Sequence, residues 1–527
     1  MSAMSATGRP RNLVLAGMIF AVAMTFIDQT IVSIAAPNIQ RELHLTDTGM
    51  QWAINAYLVA LAALFAFGGR LADTLGHRKM VVLGVVVFAG ASIMCGLTPA
   101  SSAAEAWLIV FRAIQGAGGA IMFPAALGIV VQTFPLRERG KALAMFFGIT
   151  GGLTAIGPLL GGYLTEWTWR AIFWVNVPVA IVALILISIA KPVTDYKPAR
   201  VDYRGLALIV GGVALSVIGF QQSATWGWGS VGTILCIVVG VALLVAFVLV
   251  EQRTRTPLMK VDIFRNRAFA MENLVLGIAM LSFVPLFFFA SEYAQLALNK
   301  TAQTTGLVLL YFFIGFVVTS QIGGRLLDAR GAKGPVVLGC AIAAVGFALW
   351  ASKMTDLNLN HQVWWIIVAG GGMGFMLSPA STDAVNRASR LSYGEATGIT
   401  QTVRNYAASL GLAILGTILV NRMRSEVTKS LLAQGASPAK AAAGAQQATS
   451  ASAGSGSSGS AANAPHFIRL DFAHASQTVF YVMAGVMAVA AIVAFIGLQP
   501  GVQPDLAVVD ESAPATAGEA PATAGGS

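Results

Sequence analysis

The chain has 527 residues, of which 56% are hydrophobic and only 11% charged, and no set of soluble domains buries that much apolar surface. A net charge of +10 invites a nucleic-acid reading, but the basic residues fall in small clusters between apolar runs rather than in one stripe, which is a pattern of membrane topology. The three cysteines, Cys95, Cys236 and Cys340, each stand alone in an apolar run, so neither a disulfide framework nor a metal site is expected.

A membrane span needs about 20 apolar residues. The short N-terminus, 1–12, carries Arg9 and Arg11 and precedes a run at 13–36 that is too long for a cleaved signal peptide and holds Asp28, so it is a retained first helix. Runs 50–70, 80–98, 105–132, 141–165 and 170–190 complete a six-helix bundle over 13–190. Residues 191–267 add two further runs, 204–222 and 231–250, with basic flanks. A second bundle over 268–498 comprises 268–290, 304–326, 335–352, 362–384, 397–420 and 478–498, with a long external loop at 421–477 whose stretch Ala451 to Ala464 has linker composition. The Pro/Ala/Thr-rich tail, 499–527, is expected to be disordered. Runs this long do not fit the alternation of a lipid-facing β-barrel, so all are helices. With both termini cytoplasmic, most of the 33 Lys and Arg lie inside, and the ten tryptophans fall at external ends of spans. The expected class is an all-α polytopic protein of fourteen helices, N-in and C-in, in a bacterial cytoplasmic membrane.

The octapeptide G-R-L-A-D-T-L-G at Gly69 to Gly76 returns as G-R-L-L-D-A-R-G at Gly324 to Gly331, and the copies begin 255 positions apart. This marks two related halves, a transporter feature. In the first copy Asp73 is placed to accept from the next helix's amides. Arg78, and Arg139 in the loop after the fourth span, are candidate partners for a cytoplasmic gate; Asp328 holds the matching place in the second copy. The fifth span carries Gly148, Gly152, Gly157, Gly161 and Gly162 around Pro158, a face for close helix contact and bending.

These motifs carry a family resemblance. The G-x-L-A-D-x-x-G-x-R-K loop, Arg112 in L-I-V-F-R-A-I-Q-G-A-G-G and the G-P-x-x-G-G fifth span resemble signatures of the major facilitator superfamily. The strings I-D-Q-T-I-V-S-I-A-A-P at Ile27, W-R-A-I-F-W-V-N-V-P at Trp169 and G-E-A-T-G-I-T-Q-T-V-R-N at Gly394 are similar to those of its 14-span drug:proton antiporters. Ala407, Ala408 and Ser33 depart from the family's usual residues. The resemblance implies two pseudo-symmetric bundles around a central cavity, small amphiphilic drug-like cargo, cationic by expectation, and protons as the counter-ion.

Intramembrane charges are the candidate chemistry. Asp28 lies about 24 Å from the inner edge and Arg112 about 10 Å from the outer one, at 1.5 Å per residue. The two thus reach similar depth, and the fold the resemblance implies brings their helices together. Arg112 favours the ionised carboxylate and desolvation the protonated form, so Asp28 is the expected proton site. Glu272 and Arg404 join it as candidates for coupling or the central cavity. Phe283, Phe287 and Glu292 are candidates for the substrate wall, while Asp383 reads as a solvated helix end. No phosphate-binding Gly-Lys-Ser/Thr loop is present, so the energy source is an ion gradient or another subunit. No cofactor and no nucleic-acid partner are expected, and a periplasmic adaptor is left undecided. A same-fold exporter of a lipid, siderophore or endogenous antibiotic, or a non-transporting sensor or scaffold, are the alternatives. Because Arg78 and Lys79 have only Lys333 as counterpart, neutralising Asp73 is expected to lower transport more than neutralising Asp328; vesicle uptake by the two asparagine variants checks the order.

Overall fold

The computed structural model describes residues 11–134, 156–192, 202–387, 393–451 and 465–501, with Ala142, Met145, Phe146, Ile149, Thr150 and Leu153 between them. Arg139, Gly148 and Gly152 lie outside the described residues, as do most of the linker stretch and of the tail. Among the described residues the secondary structure is helical, with no strand. Thirteen helices are long and apolar enough to cross a membrane. In chain order the helices are α1 (Arg11–Leu43), α2 (Asp47–Leu75), α3 (His77–Gly96), α4 (Ala104–Thr133), α5 (Ile156–Trp167), α6 (Ala171–Ala190), α7 (Tyr203–Trp226) and α8 (Val231–Glu251). They continue as α9 (Arg267–Glu292), α10 (Ala302–Arg330), α11 (Lys333–Ser352), α12 (Val363–Asn386), α13 (Tyr393–Ala433) and α14 (His466–Gly497). Only α5 falls short of membrane length, because much of the run expected at 141–165 lies outside the described residues.

The duplication is structural. Thr46 caps α2 by accepting from the Gly49 amide at 2.8 Å, and Thr301 caps α10 by accepting from the Thr304 amide at 3.2 Å. At the other ends, Gly76 and Gly331 turn the chain with φ of 99° and 85°, and their amides donate to Ala72 and Leu327 at 3.0 and 2.9 Å. Such a backbone favours glycine, since a Cβ there is strained. The next helices repeat the same packing. A Cβ on Gly84 of α3 would meet the Gly118 carbonyl and Met122 amide of α4, and a Cβ on Gly339 of α11 would meet the Gly372 carbonyl and Met376 amide of α12.

The halves join at one end of the bundle. Gln295 donates to the Ile34 carbonyl at 2.9 Å, and the Ser409 hydroxyl on α13 donates to the Asn55 side chain on α2. Beside them α5 meets α10 so closely that a Cβ on Gly162 would meet the Ala302 carbonyl and one on Gly306 the Pro158 carbonyl. Gly157 and Gly161 pack as tightly on α1, against Thr30 and Ile31. The inserted pair packs on itself, with Gly240 of α8 against Ser216 of α7, and seats α7 on the other seam. There Asn55 donates to Gln221 at 2.6 Å, and the Ser216 and Tyr406 hydroxyls lie 2.9 Å apart.

The long loop expected at 421–477 is largely helical. α13 runs on to Ala433, a further helix spans Pro438–Ala451, and α14 starts at His466. The extensions are polar, so hydropathy alone ends the spans too early. Arg422 and Lys429 pair with Glu426 at 2.9 and 3.1 Å, and Ser430 donates to Asp471 at 2.8 Å. Replacing Gly76 or Gly331 with Val is expected to cost about 1–3 kcal/mol through backbone strain. Thermal unfolding in detergent checks this against Gly90→Val, at a position where an added Cβ meets nothing within 4 Å.

Candidate functional site

Asp28 and Arg112 meet inside the N-terminal half. Arg112 Nη1 lies 2.5 Å from Asp28 Oδ2, and the two side chains are 1% and 0% exposed. A charge so enclosed is tolerated only with its remaining donors and acceptors met. Gln115, one turn beyond Arg112, donates from Nε2 to Asp28 Oδ1 at 2.9 Å and to Ser92 Oγ at 2.7 Å, while its Oε1 accepts from Arg112 at 2.7 Å. Asn176 donates to the same Ser92 oxygen at 3.2 Å. Arg112 Nε reaches the Ala53 carbonyl at 3.1 Å, and its guanidinium lies 4.5 Å from the Tyr57 ring. Five helices, α1 to α4 and α6, therefore converge on one ion pair.

This node faces neither described cavity. The cavity at the Gly76 end holds about 180 Å³ and is lined by Gly69, Arg70 and Asp73 of α2, His77, Gly128 of α4, the segment Pro257 to Lys260 and Gly398 of α13. A smaller cavity of about 20 Å³ lies between the halves, among Phe26 and Gln29 of α1, Met280, Phe283 and Val284 of α9, and Gln401, Arg404 and Asn405 of α13. Asp28 is thus adjacent in sequence to the cavity wall but turned away from it, by the 100° step of a helix.

The other expected residues divide. Asp73 sits at the larger cavity, with His77 Nε2, one turn on, 3.4 Å from its Oδ1. Gly324 approaches Ser378 as Gly69 approaches Pro124, which keeps the two gate copies alike. Phe283 lines the central cavity, whereas Phe287 stacks on Phe313 at 5.3 Å inside the C-terminal half. Glu292 is buried, not exposed at a helix end. Asp383, read from sequence as solvated, is buried as well. Its Oδ2 meets Arg387 Nε at 2.5 Å, and the Glu272 carboxyl lies against it. Gln115, Ser92 and Asn176 went unread because uncharged polar side chains are ordinary in membrane helices. The one signal was position, since Gln115 follows Arg112 by one turn and Asn176 sits in the quoted W-R-A-I-F-W-V-N-V-P string.

Repeated helical halves, joined at one end and separated by cavities toward the other, define a multi-pass membrane transporter and not an enzyme. The chain belongs to the Major Facilitator Superfamily, whose family model matches residues 18–412. It is 32% identical over 419 residues to the tetracenomycin C resistance and export protein of Streptomyces glaucescens, covering 79% of this chain and 77% of that one. It is 34% identical over 405 residues to the puromycin resistance protein pur8 of Streptomyces alboniger, covering 76% and 80%. Among solved structures, an inward-facing, unoccupied bacterial homologue of the human lysosomal transporter Spinster superposes with a TM-score of 0.62 at 16% identity, over 93% of this chain and 97% of that one, a likeness of fold alone.

Removing Arg112 strands a buried carboxylate. Arg112→Met is expected to lose about 3–5 kcal/mol, and Asp28→Asn/Arg112→Met to recover much of it, because the pair is lost together. Thermal unfolding of the four proteins in detergent measures this, and a double variant no more stable than Arg112→Met refutes it.

Proposed function

We propose that the chain exports amphiphilic, drug-like small molecules from the cytoplasm in exchange for protons, by alternating access of a central site. The relatives named for antibiotic resistance and export support the direction and the cargo class. The closure of the halves at one end, with a cavity of about 180 Å³ at the other, supports alternating access, with the Gly76 and Gly331 corners on the cytoplasmic side. The observation that carries proton coupling is the enclosed Asp28–Arg112 pair. Its carboxylate is neutralised either by Arg112 or by a proton, and a helix movement that parts the two exchanges one for the other. Glu272 and Asp383 lie against each other beside Arg387, a second cluster of buried charged side chains, in the C-terminal half. Asp73 and Asp328 belong to the cytoplasmic gate, where the paired glycine corners hold neighbouring helices. Gly157, Pro158, Gly161 and Gly162 form the surface on which α5 slides against α1 and α10.

The expected positive charge of the cargo has little to meet: Asp28 is sealed, and among the described residues no carboxylate lines the central cavity. Coupling is tested in everted vesicles. Asp28→Asn is expected to abolish substrate-induced dissipation of a preset ΔpH while substrate binding by the purified protein persists. Undiminished proton coupling in that variant removes the assignment.

A further inference from the structure

Among the described residues, basic side chains outnumber acidic ones on the cavity walls. Arg404 sits about three turns into α13 at the wall of the central cavity, with the amide side chains of Gln29 and Gln401 lining the same wall. Among the described residues it makes no ion pair, hydrogen bond or ring contact, and no acidic side chain acts on it. An intramembrane guanidinium is normally paired, so one left open toward a cavity marks a ligand's place. The second cavity points the same way. Arg70, His77 and Lys260 line it against one carboxylate, Asp73, and Arg70 Nε is buried with no hydrogen-bond partner. Meanwhile the carboxyl groups deeper in the bundle are engaged: Asp28 by Arg112 and Gln115, and Asp383 by Arg387 and Glu272.

We propose that the central site, which at about 20 Å³ here has room for little more than a water and so takes cargo only once the halves part, receives amphiphilic organic anions, with Arg404 holding the acidic oxygen group of the cargo and Phe26, Met280 and Phe283 its apolar body. The proposal rests on the exporter reading for direction, but not for binding. Arg70 supplies the first cationic contact on the way in from the Gly76 end. A guanidinium offers a carboxylate two parallel N–H donors, which an ammonium does not. A cationic ligand in the same place meets like charge with nothing to neutralise it.

The test is equilibrium binding to the purified full chain in detergent, which needs no gradient and so stands or falls apart from proton coupling. The probes are three amphiphilic carboxylates, fusidate, benzylpenicillin and anthraquinone-2-carboxylate, the methyl ester of each, and the cations ethidium and tetraphenylphosphonium. At least one carboxylate is expected to bind more tightly than its ester. Arg404→Gln is expected to weaken that carboxylate by about tenfold or more and to erase the difference from the ester, as loss of a charged hydrogen bond does. Arg404→Lys keeps the charge and retains a part of the preference, which separates recognition from misfolding, as does the unfolding temperature of each variant. The same Arg404→Gln change is expected to tighten cation binding rather than weaken it. If no carboxylate shows Arg404-dependent preference over its ester, the proposal is overturned, whatever the cations do. Carboxylate-selective binding together with transport indifferent to ΔpH upholds the anion site and removes the antiport reading instead.

Discussion

A carboxylate and a guanidinium enclosed together in a membrane bundle organise the N-terminal half. Neither Asp28 nor Arg112 reaches water, and the bilayer offers no polar partner, so every remaining donor and acceptor of the pair must be met by protein. Gln115 meets both members at once, Ser92 and Asn176 support Gln115, and the Ala53 carbonyl and Tyr57 ring complete the guanidinium's surroundings. The pair thereby ties together the five helices that supply these groups, and moving those helices apart requires the carboxylate's charge to be met in another way.

The duplicated scaffold and the chemistry follow different rules. Caps, corners and helix-to-helix glycine contacts repeat between the halves: Thr46 with Thr301, Gly76 with Gly331, and Gly84 with Gly339. The charges do not. The N-terminal half holds a single pair sealed from both cavities, whereas the C-terminal half holds the Glu272–Asp383–Arg387 cluster and presents Arg404 to the space between the halves. Packing is reusable because backbone approach depends only on small residues. A buried charge is costly unless its partners are supplied with it, so the two halves place theirs differently.

How legible this was in the sequence depends on contrast. Asp28 and Arg112 stand out because a charge in an apolar run is conspicuous, and the glycine corners because a repeated octapeptide is. Gln115 and Asn176 lack that contrast, although they decide how the pair is held. Asp383 was misread because a carboxylate near a span end resembles a solvated one, and only the fold brings Glu272 against it. The capping threonines lie more than twenty residues upstream of the repeated octapeptide, so the repeat in the sequence looked shorter than the repeat in the structure. The helical extension of α13 was hidden for the opposite reason, since polar residues end a hydropathy signal without ending a helix.

The placement of ion pairs also limits what opening the molecule costs. The ion pairs Asp28–Arg112, Glu42–Arg170 and Asp383–Arg387 each lie within one half, while the contacts at Gln295, Ser409, Gly162 and Gly306 between the halves are neutral hydrogen bonds and glycine approaches. Neutral hydrogen bonds contribute about 1 kcal/mol each, net of solvation. Parting a buried ion pair leaves lone charges at about 3–5 kcal/mol. A single proton moving down a potential of 100 mV releases about 2.3 kcal/mol. That energy is on the scale of the neutral contacts at Gln295 and Ser409 and below the scale of an ion pair. Parting the halves at these neutral contacts therefore breaks neither of the two buried ion pairs, Asp28–Arg112 and Asp383–Arg387.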